Sequence, residues 1–141
     1  MAPTGSCFPG YLLGAIGPVL GDYFATLTAL KSCLNPNGLV IVDDGYLDDN
    51  STVTHPIMQK RSAVLAQIAA AGMRLIDEII IPPDAILESD AAIFEKLKQR
   101  CLELAAQHPA QKELFLEYIR QQEAENDVLA QQAICSVRVL R

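Results

Sequence analysis

The stretch Leu34-Asn35-Pro36-Asn37-Gly38-Leu39-Val40-Ile41-Val42-Asp43-Asp44 decides how the rest of the chain is read. Pro36 fixes φ and Gly38 accepts φ > 0, so residues 35–38 read as a turn. Leu39 to Val42 is an unbroken β-favouring run. Without alternation, such a run suits a strand covered on both faces, as in a parallel sheet. It is expected to stop at Asp43-Asp44-Gly45-Tyr46, and residues 47–54 are polar and loop-like.

Upstream, Asp22 is a plausible N-cap for a helix over about 23–34. Phe24, Leu27, Leu30 and Leu34 recur there at helical spacing. Residues 11–16 form a short strand weakened by Gly10 and Gly14. Downstream, Pro56 suits the first position of a helix running to about Ala71, and Gly72 is a natural stop. Met73 to Ile81 reads as a strand ended by Pro82-Pro83. Two helices follow, over about 84–107 and 110–131, broken by His108-Pro109. Phe94, Leu97, Cys101, Phe115 and Tyr118 are expected inside this helical pair, and Glu103, Glu113, Glu123 and Glu125 outside. Ile134 to Leu140 is a final strand. Strands alternating with helices imply a mostly parallel α/β sheet in one domain, residues 1–141.

The segment 34–44 resembles the "L-k-P-G-G-x-l-v-i-x-D" stretch of class I, Rossmann-like methyltransferases dependent on S-adenosylmethionine. There it forms the turn and fifth strand of a seven-stranded sheet. The resemblance places Ile16-Gly17-Pro18 at the end of the fourth strand, residues 22–34 on the following helix, 73–82 on the sixth strand and 133–140 on the antiparallel seventh. It implies a partial methyltransferase sheet, strands equivalent to 4-5-7-6, with 84–131 as an inserted helical hairpin. The departure is as informative. The family holds its cofactor with a first strand, a G-x-G-x-G-type turn and an acid ending the second strand. No such sequence precedes residue 11, and Gly14, Gly17 and Gly21 read as turn and close-packing glycines. The expectation is the C-terminal half of the fold, truncated, with no cofactor bound by the isolated chain and S-adenosylmethionine implied for the complete fold.

Charge and cysteine usage narrow the partners. The chain carries a net charge of −6, and residues 84–131 hold ten acidic against five basic residues. An acidic surface without a Lys/Arg stripe argues against nucleic acid or anionic membrane. Residues 7–21 are apolar, but glycines and prolines interrupt them and they fall short of the roughly 20 residues a spanning helix needs. They read as a buried, irregular entry to the fold. Cys7, Cys33, Cys101 and Cys135 form no C-x-x-C, and His55 and His108 are isolated, so no metal site is expected. Reduced thiols place the chain in the cytoplasm.

Candidate substrate-binding residues are those at the carboxyl ends of the central strands, where ligands bind in open α/β sheets. They are Gly17 and Pro18 after the first strand, Asp43, Asp44 and Tyr46 after the second, and His55. By resemblance these loops shape an acceptor pocket, with Asp43 or Asp44 orienting or deprotonating a hydroxyl or amine and Tyr46 packing on it. No catalytic residue is assigned. Adjacent acids also simply solvate loops, and Asp22 reads as a cap. The functional expectation is a methyltransferase-like domain, inactive alone, serving as an interaction module. The alternatives are an acceptor-side half completed by another chain, or a small-molecule binder using the residual cleft. The uncharged stretch Tyr11 to Ile16, left as a sheet edge, predicts a homodimer or pairing with a complementary half.

Overall fold

The computed structural model describes residues 7–141. They fall into two compact units. One is the chain up to Ile81 with Ile134–Arg141; the other is Pro82–Ala133.

The first unit is built on four strands. β1 (Phe8–Gly14) and β2 (Leu34–Leu47) run parallel, and β3 (Leu75–Ile80) is antiparallel to β4 (Ala133–Leu140). Their order is β1-β2-β4-β3. This is the 4-5-7-6 arrangement, with an antiparallel last strand, that the resemblance implies.

α1 (Tyr23–Lys31) starts where Asp22 accepts a hydrogen bond from the Ala25 N–H at 2.7 Å, as its N-cap position predicts. α2 (Arg61–Ala70) ends in a Schellman turn. Gly72, at φ 71°, and Met73 donate to the carbonyls of Ala69 and Ile68. One core unites the two helices with one face of the sheet through Leu13, Leu27, Val40, Val42, Ile68 and Leu140. The opposite face carries Leu12, Ile41 and Ile79, all exposed.

Several local expectations are corrected. Residues 35–38 do not precede β2 but form an irregularity inside it. Phe8 pairs with Leu34 and Gly10 with Leu39, so β2 advances five positions while β1 advances two. The positive φ falls on Asn37, not Gly38. Gly10 does not weaken β1. A Cβ there would lie 2.8 Å from the Leu39 carbonyl oxygen, so glycine permits the close approach beside this bulge. β2 continues past Asp43 to Leu47, because Ala15 N–H still bonds the Asp43 carbonyl and Leu47 N–H the Gln59 carbonyl. α2 begins at Arg61 rather than Pro56, since His55 organises residues 55–58 as a separate turn. In the stretch 7–21 only Leu13 is buried, while Leu12, Ile16, Val19 and Leu20 are exposed.

The second unit is a helical hairpin of α3 (Pro83–Gln107) and α4 (Lys112–Gln132), linked by a short 3-10 turn at Pro109–Gln111. Pro83 enters at the first helical turn, where its missing N–H costs nothing. Cys101, Ala105 and Ile119 are buried; Phe94, Leu97 and Phe115 are half-buried. Tyr118 is 45% exposed, against expectation. It lies one position from Ile119, which takes the inward place on α4. Among the described residues no helix is long and apolar enough to cross a membrane.

Candidate functional site

Parallel strands deliver their following loops to one edge of a sheet, and here β1 and β2 do so. The loop after β1 and the segment after β2 together line a pocket of ≈ 340 Å³. Gly17 and Pro18 come from the first and His55 from the second, with Ile16, Ile57 and Met58 as apolar walls. The structure thus brings three of the six predicted residues together. Gly17 adopts φ 61°, a conformation that favours glycine, and a Cβ there would sit 3.8 Å from Asp44 Oδ2. Asp44 is therefore close behind the Gly17 loop.

His55 is fixed by its own turn. Its Nδ1 accepts from the N–H groups of Ile57 (3.1 Å) and Met58 (2.9 Å). With Nδ1 an acceptor, the neutral imidazole carries its proton on Nε2 and is a hydrogen-bond donor there.

Asp43, Asp44 and Tyr46 do not converge on one point. Side chains alternate along β2, which puts Asp44 and Tyr46 on the helix-covered face and Asp43 on the other. Asp44 is engaged on both oxygens: Oδ1 accepts from Gly45 N–H at 2.8 Å, and Oδ2 accepts from the Tyr23 hydroxyl. Burial, reinforced by the bond to Asp44, holds the Tyr23 phenol far above the ordinary tyrosine range, so it remains a donor. Tyr46 is buried, and its hydroxyl donates to Glu78 Oε1 at 3.0 Å and accepts from Arg61 Nε at 3.3 Å. Arg61 also pairs with Glu78 at 2.6 Å. Burial pushes the Glu78 carboxyl up, but the bonds from Arg61 and Tyr46 outweigh it and leave it below its usual value.

Arg138 of β4 ties these residues together. It is 1% exposed, and its guanidinium lies 5.5 Å from the ring centres of both Tyr23 and Tyr46. Its Nη2 reaches the Asp44 carbonyl at 3.5 Å, while its Nε has no hydrogen-bond partner among the described residues. The polar residues that sequence reading missed are thus Tyr23, Arg61, Glu78 and Arg138. One signal was available: Arg138 interrupts the apolar run Val137 to Leu140, and a charge inside a strand with apolar neighbours demands a partner.

A ribose clamp needs a carboxylate that accepts from hydroxyls beside a glycine turn. The carboxylate behind the Gly17 loop is Asp44, and each of its oxygens already accepts one protein donor. No three His, Cys, Asp or Glu side chains among the described residues converge as a metal site.

No protein-family model matches the chain, and no curated protein matches it in sequence. Solved structures do match in fold. A putative sarcosine dimethylglycine methyltransferase from Galdieria sulphuraria aligns with a TM-score of 0.75 at 13% identity, over 100% of this chain and 55% of its own. A SAM-dependent methyltransferase from Geobacter sulfurreducens, in complex with S-adenosyl-L-homocysteine, aligns with a TM-score of 0.73 at 11% identity, over 96% and 58%. The cyclopropane synthase MmaA2 from Mycobacterium tuberculosis aligns at 0.73 and 13%, over 96% and 56%. The chain therefore has a partial methyltransferase fold and spans little more than half the length of these structures.

Proposed function

We propose that this chain is a methyltransferase-like interaction module. It is catalytically silent by itself and acts by association, with a second copy or with a chain carrying the complementary half of the fold. The observation that carries the reading is the sheet. β1 is an edge strand, no charged residue occurs from Phe8 to Gly21, and helices of the first unit cover only one sheet face. Such an edge attracts another strand, and parallel sheets are ordinarily covered on both faces. Cytoplasmic placement, argued from the cysteine spacing, belongs to the same proposal.

The pocket of ≈ 340 Å³ at the ends of β1 and β2 favours a second reading, an acceptor-side half that gains a cofactor only from its partner. S-adenosylmethionine would then find its site only in the complete fold. Titration calorimetry with S-adenosylmethionine separates the readings. The isolated chain is expected to show no binding, and the second reading predicts binding after a complementary chain is added. A low-micromolar dissociation constant for the isolated chain, about −8 kcal/mol, would overturn both.

A further inference from the structure

The helical hairpin closes its seam at one end, where Cys101, Ala105 and Ile119 are buried, and opens it at the other. The open end holds a groove of ≈ 220 Å³. Leu87, Ala91 and Phe94 of α3, at i, i+4 and i+7, meet Ala130 of α4 to form its apolar floor. Asp90, Glu123 and Asp127 form its rim. The opening has a cause in sequence. Where the pattern of Phe115 and Ile119 would continue with bulky apolar residues, α4 supplies Glu123, Asn126 and Ala130, which cannot fill the space opposite Phe94.

The rim carboxylates lack counter-charges. None forms an ion pair or hydrogen bond among the described residues, while Arg100 and Arg120 pair with Glu103 and Glu117 elsewhere on the helices. Lys98 lies over the Phe94 ring at 5.9 Å and forms no ion pair with the rim.

We propose that this groove receives a basic amphipathic helix of a partner protein. Leucine-sized side chains of the incoming helix fill the space over Phe94, and flanking lysines or arginines meet Asp90, Glu123 and Asp127. Helix-in-groove recognition uses this combination of apolar anchors and complementary rim charge. A second copy of the chain is disfavoured as occupant, because 84–131 carries ten acidic against five basic residues and two hairpins would repel. The proposal does not rest on the methyltransferase-like reading, since it concerns the hairpin alone.

The test uses the full chain and a synthetic helical peptide with one leucine face and one lysine face, followed by fluorescence anisotropy. Binding is expected, weakened by added salt. It should weaken about tenfold in an Asp90→Asn/Asp127→Asn variant, two half-exposed ion pairs being lost. Phe94→Ala should weaken it too, and Glu113→Gln, outside the groove, should leave it unchanged. Circular dichroism checks that each variant keeps its helices. The proposal is overturned if the lysine–leucine peptide fails to bind. It is equally overturned if a sequence-scrambled peptide binds as well, if spermidine alone displaces the helix fully at the same charge concentration, or if the folded double variant binds unchanged.

Discussion

Replacing Arg138 by Met asks whether a buried cation holds the centre of this sheet together. Arg138 is 1% exposed and sits 5.5 Å from two tyrosine ring centres. A desolvated cation–π contact contributes about 1–2 kcal/mol, so the substitution forfeits about 2–4 kcal/mol. Against this, the unpartnered Nε is removed, which returns about 1–3 kcal/mol of desolvation. The Asp44 carboxylate is half-buried and forms no ion pair with Arg138, whose Nη2 reaches only the Asp44 main-chain carbonyl at 3.5 Å, so no buried charge is orphaned by the change. The expected net loss is about 1 kcal/mol, or a fall in Tm of about 2–6 °C in a chain of this size. Urea unfolding followed by circular dichroism measures it, with an unchanged m-value showing that the same surface is exposed. Arg138→Lys keeps the charge but not the planar face, and should recover part of the loss. An Arg138→Met chain as stable as the parent, or more stable, would refute the reasoning and show the cation to be tolerated rather than structural.

Glu78→Gln should flatten the acid limb of the stability curve. The folded carboxyl lies below its usual value, so its contribution is present above about pH 4.3 and is lost as pH falls through the folded value. Thermal melts across the acid range check it, and an unchanged limb would count against the Arg61–Glu78–Tyr46 network. Gly10→Ala should destabilise by about 1–3 kcal/mol, since its Cβ meets the Leu39 carbonyl at 2.8 Å on paired backbone. Gly14→Ala, with nothing within 4 Å, is the neutral comparison. Light scattering should show a dimer that Leu12→Lys dissociates, Leu12 being 70% exposed beside the β1 edge. Leu13→Lys should instead unfold the chain, because Leu13 faces the core; a monomer mass for the parent would end the dimer reading.

Element order was legible because the signals are local. Asp22 caps α1, Gly72 stops α2 and His108-Pro109 breaks the hairpin, each by backbone chemistry that needs no tertiary partner. The run Leu39 to Val42 marked a strand by its β-favouring residues, but the coverage of both faces that its lack of alternation suggested is not found: Val40 and Val42 are buried and Ile41 is exposed. What escaped was what depends on pairing. Asn35-Pro36-Asn37-Gly38 has turn chemistry, yet β1 continues beside it and absorbs it as a bulge. Pro56 has helix-start chemistry, yet His55 Nδ1 takes the next two free N–H groups and delays α2 to Arg61.

The same dependence explains why the candidate site was only partly legible. Asp43-Asp44-Gly45-Tyr46 at a strand end has the composition of a ligand-facing loop, and a local reading assigns its acids to chemistry. Because β2 extends through these residues, alternation sends Asp44 and Tyr46 inward, and the sheet supplies Arg138 from a strand 94 positions away. Each Asp44 oxygen already accepts one protein donor, and the Tyr23 phenol stays protonated across the neutral range and keeps its bond to Oδ2, so a ligand beside Gly17 would have to share this carboxylate with the fold. The turn around His55 engages its Nδ1. His55 lines the pocket itself, whereas Asp44 lies behind it and first serves the sheet.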